Sequence, residues 1–176
     1  FYILGALLLI LLLAYVCFYK HVNLFIVSMT GKKRVQKKIY KACKANGIKP
    51  IIGCEVYVAP RTRFDKEPNI DNKYNHLILL AKNNEGYKNL SKLVSLGFTD
   101  GYYYKPRIDK EILEKYHEGL ICCSACLAGE VPQTIIRDGL EKAEEAALWY
   151  KNLFGDDYYL EIHLFTLYFV DKNAVL

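Results

Sequence analysis

Ile51 and Ile52, then Val56, Tyr57 and Val58, make a short apolar run between a glycine-proline turn and Pro60, which predicts a buried strand of a parallel sheet over 51–58. Three more such runs follow: 76–81 behind its opening His76, 120–124, and 158–162. Helical spacing fills the gaps. Ile39, Tyr40 and Cys43 predict a helix over 36–45 that Asn46 and Gly47 stop. Tyr87, Leu90, Leu93 and Val94 predict a second, capped by Asn84 and ended by Gly97. Asp109 is placed to cap a short third helix, 110–116, and Leu140, Ala143, Ala147 and Tyr150 give one apolar face to a fourth, 139–153. Residues 61–74 and 101–106 read as loops, and 125–130 as a turn. Strand and helix alternate, which argues for an α/β fold of parallel β-α units in a barrel or an open sheet. Functional side chains in either architecture gather at the carboxyl ends of the strands.

The two ends of the chain break this pattern. Residues 1–19 are an uninterrupted apolar run of bilayer-spanning length, and the basic cluster Lys32, Lys33, Arg34, Lys37 and Lys38 would then stay on the cytoplasmic side. A signal peptide fits less well, for lack of a basic start and a cleavage site. The other reading of this acid-free stretch is AT-rich DNA translated out of frame, and the tail at 163–176 has the same apolar character. The expected organisation is an apolar segment 1–19, a basic linker 20–38, a globular domain 39–162 and an apolar tail 163–176.

Charge sharpens this division. The net charge of +5 hides nine Lys and Arg in residues 1–50, with no acid before Glu55, against fifteen basic and nineteen acidic groups in the rest. A nucleic-acid-binding surface is therefore not implied. Six cysteines lack the spacing of a secreted disulfide scaffold and point to a reducing compartment. Cys122 and Cys123 precede Cys126 by four and three positions, with no second pair to complete a structural zinc tetrad.

Glu55 is a carboxylate inside an apolar strand, costly to bury unless it meets a cation, a metal or several donors, or unless it faces water. With His76 opening the second strand and Cys126 just past the third, it supplies three side chains of metal-ligating type that one rim of the sheet would bring together. Taken singly, the histidine also suits a satisfied core or surface position, and the cysteine a small hydrophobe.

The wording of the chain adds a family to this reading. The phrases Tyr40-Lys41-Ala42-Cys43-Lys44-Ala45-Asn46-Gly47-Ile48-Lys49-Pro50-Ile51-Ile52-Gly53-Cys54-Glu55-Val56-Tyr57-Val58, His76-Leu77-Ile78-Leu79-Leu80-Ala81-Lys82-Asn83, Gly101-Tyr102-Tyr103-Tyr104-Lys105-Pro106-Arg107-Ile108-Asp109 and Ser124-Ala125-Cys126-Leu127-Ala128-Gly129-Glu130 carry it. Over residues 40–162 the chain resembles the PHP (polymerase and histidinol phosphatase) domain of the bacterial replicative DNA polymerase III α subunit. The resemblance implies a distorted seven-stranded β/α barrel, here partial, whose strand ends bind up to three divalent metals (zinc, manganese or magnesium). Glu55, His76 and Cys126 match the family's glutamate, histidine and cysteine ligands. Metals in such a cluster acidify a bound water and clamp a phosphate for hydrolysis.

Departures from the family pattern limit that expectation. Residues 1–38 hold neither the His-x-His strand nor the Thr-Asp-His-Gly strand end, and His21 stands alone. The late Asp-x-His pair is missing, since the chain runs from His163 to Leu164 and Phe165 where the family has Gln-Asp-His. The expectation is a three-ligand remnant that binds metal weakly, no catalytic residue to assign and no phosphoesterase turnover. The family's polymerase site lies in a later domain. Its PHP domain serves as scaffold or as partner for a proofreading exonuclease, within a cytoplasmic replisome that meets DNA through the parent protein. Two alternatives stand beside this reading. One is a free-standing phosphoesterase of the histidinol phosphatase kind; the other is a membrane-anchored, non-catalytic PHP remnant with residues 1–19 in the bilayer.

Overall fold

The computed structural model describes residues 24–28 and 33–162. The expectations for residues 1–19 and 163–176 lie outside them. The chain divides into two compact units, residues 1–27 with 31–51 and residues 28–30 with 52–176.

In the first unit, strand β1 (Leu24–Ser28) and helix α1 (Lys33–Ala45) fall largely within 20–38 and the predicted first helix. Asn46 and Gly47 end α1 as their chemistry requires. The Asn46 side chain donates to the Ala42 carbonyl at 2.8 Å, and Gly47 takes φ +67°, which costs glycine nothing. The Ile48 N–H then returns to the Cys43 carbonyl at 2.9 Å, which turns the chain into strand β2 (Lys49–Val58).

The second unit is built on a sheet. After β2 come β3 (Asn75–Ala81), helix α2 (Asn84–Thr99), β4 (Tyr102–Tyr103), β5 (Lys105–Ile108), helix α3 (Lys110–Lys115) and β6 (Leu120–Cys123). Helices α4 (Glu130–Asp138) and α5 (Leu140–Phe154), a 3-10 turn (Gly155–Asp157) and β7 (Tyr158–Tyr159) complete it. The strands lie in the order β4-β5-β2-β3-β6-β7.

The parallel arrangement expected from the strand-helix alternation is only partly present. β2 with β5 and β6 with β7 are parallel, but β3 runs antiparallel to both of its neighbours, β2 and β6. No helix joins β2 to β3; the polar segment 61–74 does, and a chain that returns without a crossover helix comes back antiparallel. Two more corrections concern elements the pattern conceals. The stretch 101–106, expected as loop, holds β4 and the start of β5, and α4 follows the predicted turn at 125–130. Pro132 lies in the first turn of α4, where an amide hydrogen has no helical partner in any case. Asn83, one residue earlier than expected, caps α2 by accepting from the Gly86 N–H at 2.9 Å, whereas Asp109 caps α3 as expected, accepting from Ile112.

Alternation along the strands separates two faces. Val56 and Val58 of β2, Leu77 and Leu79 of β3, and Leu120 and Cys122 of β6 are buried against Leu90 and Leu93 of α2, Leu113 of α3 and Tyr150 of α5. Glu55, Tyr57, His76, Ile78 and Cys123 occupy the opposite face and retain partial exposure. Among the described residues no helix is long and apolar enough to cross a membrane.

Segment 61–74 is polar yet firmly held. Fully buried Arg107 donates from Nε to the Gly101 carbonyl (3.0 Å), from Nη1 to Asp71 (2.7 Å) and from Nη2 to Arg63 (3.1 Å) and Asp65 (2.8 Å). Asp109, besides capping α3, accepts from the Arg63 N–H at 2.8 Å and from its Nη1 at 3.0 Å. The buried Asp71 carboxylate is held below the usual carboxylate range, first because Arg61 donates to it and further by the Glu67 N–H, against the opposing effect of burial. A depressed folded-state pKa contributes stability above the unfolded value near 3.8 and loses it as the pH falls through the folded value. Amide hydrogen exchange in 61–74 is therefore expected to accelerate selectively as the pH falls below that value, after correction for the intrinsic exchange rate. Replacing Arg61 with Gln is expected to flatten this dependence.

Candidate metal centre

Glu55 lies near the middle of β2 on the face away from the core, with its side chain 45% exposed, so its carboxylate is never stranded in an apolar interior. His76, 24% exposed, is the second residue of β3 and lies opposite Tyr57, two residue pairs nearer the β2 carboxyl end than the Glu55–Ile78 pair. The antiparallel course of β3 decides this placement. The amino end of β3 lies beside the carboxyl ends of β2 and β6, so a residue that starts one strand meets residues that end the others.

Cys126 reaches the same rim from beyond β6. Ala125 takes the left-handed conformation (φ +62°), which breaks the extended course of the strand. The turn closes with Gly129 N–H on the Cys126 carbonyl at 2.8 Å. Its next residues pair with β3, the His76 N–H donating to the Ala128 carbonyl at 2.9 Å beside a parallel bridge between His76 and Gly129. His76 Nδ1 stands 3.3 Å from Glu55 Oε1 and 3.8 Å from Cys126 Sγ.

These two distances suit the donor set. With zinc bonds of about 2.0–2.1 Å to N and O and about 2.3 Å to S, tetrahedral donors sit about 3.3 Å (N to O) and about 3.6 Å (N to S) apart. The contacts are pairwise through His76, however. Among the described residues, no group of three or more His, Cys, Asp or Glu side chains is arranged to hold a metal ion.

Aromatic rings border the site. Tyr57 lies 4.7 Å from Tyr74 and 5.1 Å from His76, centroid to centroid, and the Tyr74 ring is parallel to His76 within 8°. Glu55 and Tyr57 also border a cleft of about 150 Å³ with Val94, Phe98 and Pro106. That volume is below the roughly 300–1,000 Å³ of ordinary small-molecule sites.

The PHP domain profile matches residues 12–164. The chain belongs to the PHP domain family. Among curated relatives, the DNA polymerase III subunit alpha of Chlamydia trachomatis is 52% identical over 128 residues, covering 72% of this chain and 10% of that protein. The subunit of Borreliella burgdorferi is 52% identical over 126 residues, covering 71% of this chain and 11% of the relative. That of Aquifex aeolicus is 53% identical over 131 residues, with the same two coverages. The chain thus spans about a tenth of the length of these relatives.

The sheet described above is part of a PHP fold, mixed α/β as the resemblance implies. Other thiols of this PHP chain differ from Cys126 in surroundings. Burial, with Glu55 adding to it, pushes the Cys54 thiol up to about 11, and burial raises Cys122 still further, so both stay protonated as core residues. One supporting group escaped the sequence reading: Glu130, at the start of α4. Its Oε1 accepts from Lys110 Nζ and its Oε2 from the Tyr150 hydroxyl, each at 2.7 Å, which joins α3, α4 and α5 directly behind the Cys126 turn. Burial and the neighbouring carboxylate hold the Tyr150 hydroxyl well above its ordinary value, so it remains a donor. The available signal was an acidic residue after glycine at a helix start, which the pattern reading assigned to the turn.

Proposed function

We propose that this chain is a portion of the PHP region of a replicative DNA polymerase III α subunit, acting in the parent protein as scaffold rather than as catalyst. The observation that carries this is identity above half to three such subunits, over some seven-tenths of the chain. By the same reading its setting is the bacterial cytoplasm. Its partners are the polymerase module, replisome subunits including a proofreading exonuclease, and DNA through the parent protein.

Glu55, His76 and Cys126 fit a divalent metal by donor chemistry. A carboxylate, an imidazole and a thiolate together favour zinc over magnesium or manganese, which prefer oxygen ligands alone. A metal held there would acidify a bound water. The residues themselves supply a pairwise contact set with His76 at its centre, and turnover is not expected from so small a donor set.

Titration of the full chain with Co²⁺ tests this site. A weak thiolate-to-cobalt absorption band is expected that His76→Ala and Cys126→Ser abolish; a band that survives both substitutions would place the metal elsewhere. Hydrolysis of a small phosphate ester by the zinc-loaded chain, abolished by the same substitutions, would overturn the scaffold reading in favour of a phosphoesterase. For residues 1–19, membrane fractionation of the expressed chain separates an anchored product from a soluble one. Reading the encoding DNA in the other frames tests the out-of-frame origin of both ends.

A further inference from the structure

Two aromatic rings reach His76 by two different rules of strand geometry. Tyr74 precedes it by two residues at the entry to β3, the spacing that puts side chains on one face of an extended chain. Tyr57 is its cross-strand partner on β2. The Tyr74 ring lies parallel to the imidazole within 8°, with centroids 6.1 Å apart, and the Tyr57 ring meets it edge-on at 5.1 Å. The two tyrosines also pack on each other, at 4.7 Å and 55°. Three half-buried rings thus form one closed cluster. Each tyrosine is anchored from outside it. Tyr57 pairs with β5 at Arg107 as well as with β3. Tyr74 ends segment 61–74, in which the Asp71 carbonyl accepts from fully buried Arg107 at 2.7 Å.

We propose that Tyr74, together with Tyr57, is a positioning residue for His76: the ring contacts fix the plane of the imidazole, and with it the direction of Nδ1 toward Glu55 and Cys126. The torsion that turns an imidazole about its Cβ–Cγ bond is broad and roughly two-fold, so the side chain by itself chooses no plane. Parallel and edge-on ring contacts at these separations do choose one. The choice matters because a metal-binding lone pair and a donated N–H both lie in the plane of the ring. A ring turned out of this plane aims neither at Glu55 Oε1 nor at Cys126 Sγ, which Nδ1 now faces at 3.3 Å and 3.8 Å. Stacking leaves one ambiguity, since a half-turn keeps the plane and exchanges Nδ1 for a carbon. The Glu55 carboxylate resolves it, because it accepts a hydrogen bond from a nitrogen and gains little from a carbon. The tyrosines therefore set the plane and the carboxylate sets the edge. This division holds for the metal-free protein, and its consequence for metal affinity rests on the reading of the rim as a metal centre.

Carbon-13 relaxation of the His76 ring in the full, metal-free chain, assigned by comparison with His76→Ala, tests the proposal. A ring as ordered as the β3 amides is expected in the unsubstituted chain and in Tyr74→Phe, which keeps the stack without the hydroxyl. Tyr74→Leu is expected to leave the β3 amides ordered and to loosen the ring. Titration with Co²⁺ gives the second readout. Tyr74→Leu should weaken cobalt binding about 10-fold, the scale of a group that orients a metal ligand, and Tyr74→Phe should bind as the unsubstituted chain does. A mobile His76 ring in the unsubstituted chain overturns the proposal even if the leucine variant misfolds. A ring that stays ordered in a folded Tyr74→Leu overturns it as well. An ordered ring that Tyr74→Leu loosens, in a chain that gives no cobalt band, removes the metal reading and supports the positioning role. A loosened ring with undiminished cobalt affinity overturns the role toward the metal.

Discussion

Arg107→Met is expected to lower the unfolding free energy by about 3–5 kcal/mol, because four backbone carbonyls lose a charged donor that the methionine cannot replace. The four acceptors, Gly101, Asp71, Arg63 and Asp65, span the β4–β5 hairpin and both ends of segment 61–74, so the loss is shared by the whole polar layer over β5. Urea unfolding monitored by far-ultraviolet dichroism measures it. Arg107→Lys is expected to recover little, since an ammonium lacks the planar fork that reaches several acceptors at once. A Lys variant as stable as the original would show that the charge matters and the fork does not.

Gly86→Ala is expected to cost about 3 kcal/mol or more, by forcing a methyl group into backbone in an already close-packed contact. A Cβ at Gly86 would lie 1.8 Å from the Gly119 carbonyl oxygen, and neither partner is a side chain able to swing away. Gly119 is itself constrained: it takes φ +71°, and its carbonyl accepts from the Lys82 N–H at 2.9 Å. The first turn of α2 must therefore move away from the loop before β6, and the Asn83 cap with it. Thermal unfolding of the Ala variant checks this, and a Gly97→Ala control is expected to cost less, since its nearest neighbours stand at 3.5 Å.

What could be read from the residues, and what could not, follows from the range of the interactions involved. Asp109 as a cap and Gly47 as a stop were legible because both act on amides a few residues away. The direction of β3 was not, because an apolar run looks the same whichever way the strand runs. β4 and β5 were hidden for another reason. Pro106 signals a break and Arg107 signals a surface, but the charge is satisfied by carbonyls that lie up to 44 residues distant in sequence. At the candidate centre the residue types were legible and their hub was not. Only the antiparallel pairing shows that Glu55 and Cys126 both approach one nitrogen of His76. The difference between Cys122 and Cys123 follows from a strand period of two, but only once the strand's buried face is known.

The central position of β3 gives the rim a use as a reporter of folding. Glu55, His76 and Cys126 come from three different strands or their extensions, and β3 is the strand between the other two. No pair of strands alone assembles the set, so the contact of Cys126 with His76 and that of His76 with Glu55 arise together only when β2, β3 and β6 have all found register. The reactivity of the Cys126 thiol, followed in time after dilution from denaturant, would then time the pairing of β3 with β6, and the His76–Glu55 contact would report the pairing of β3 with β2 separately.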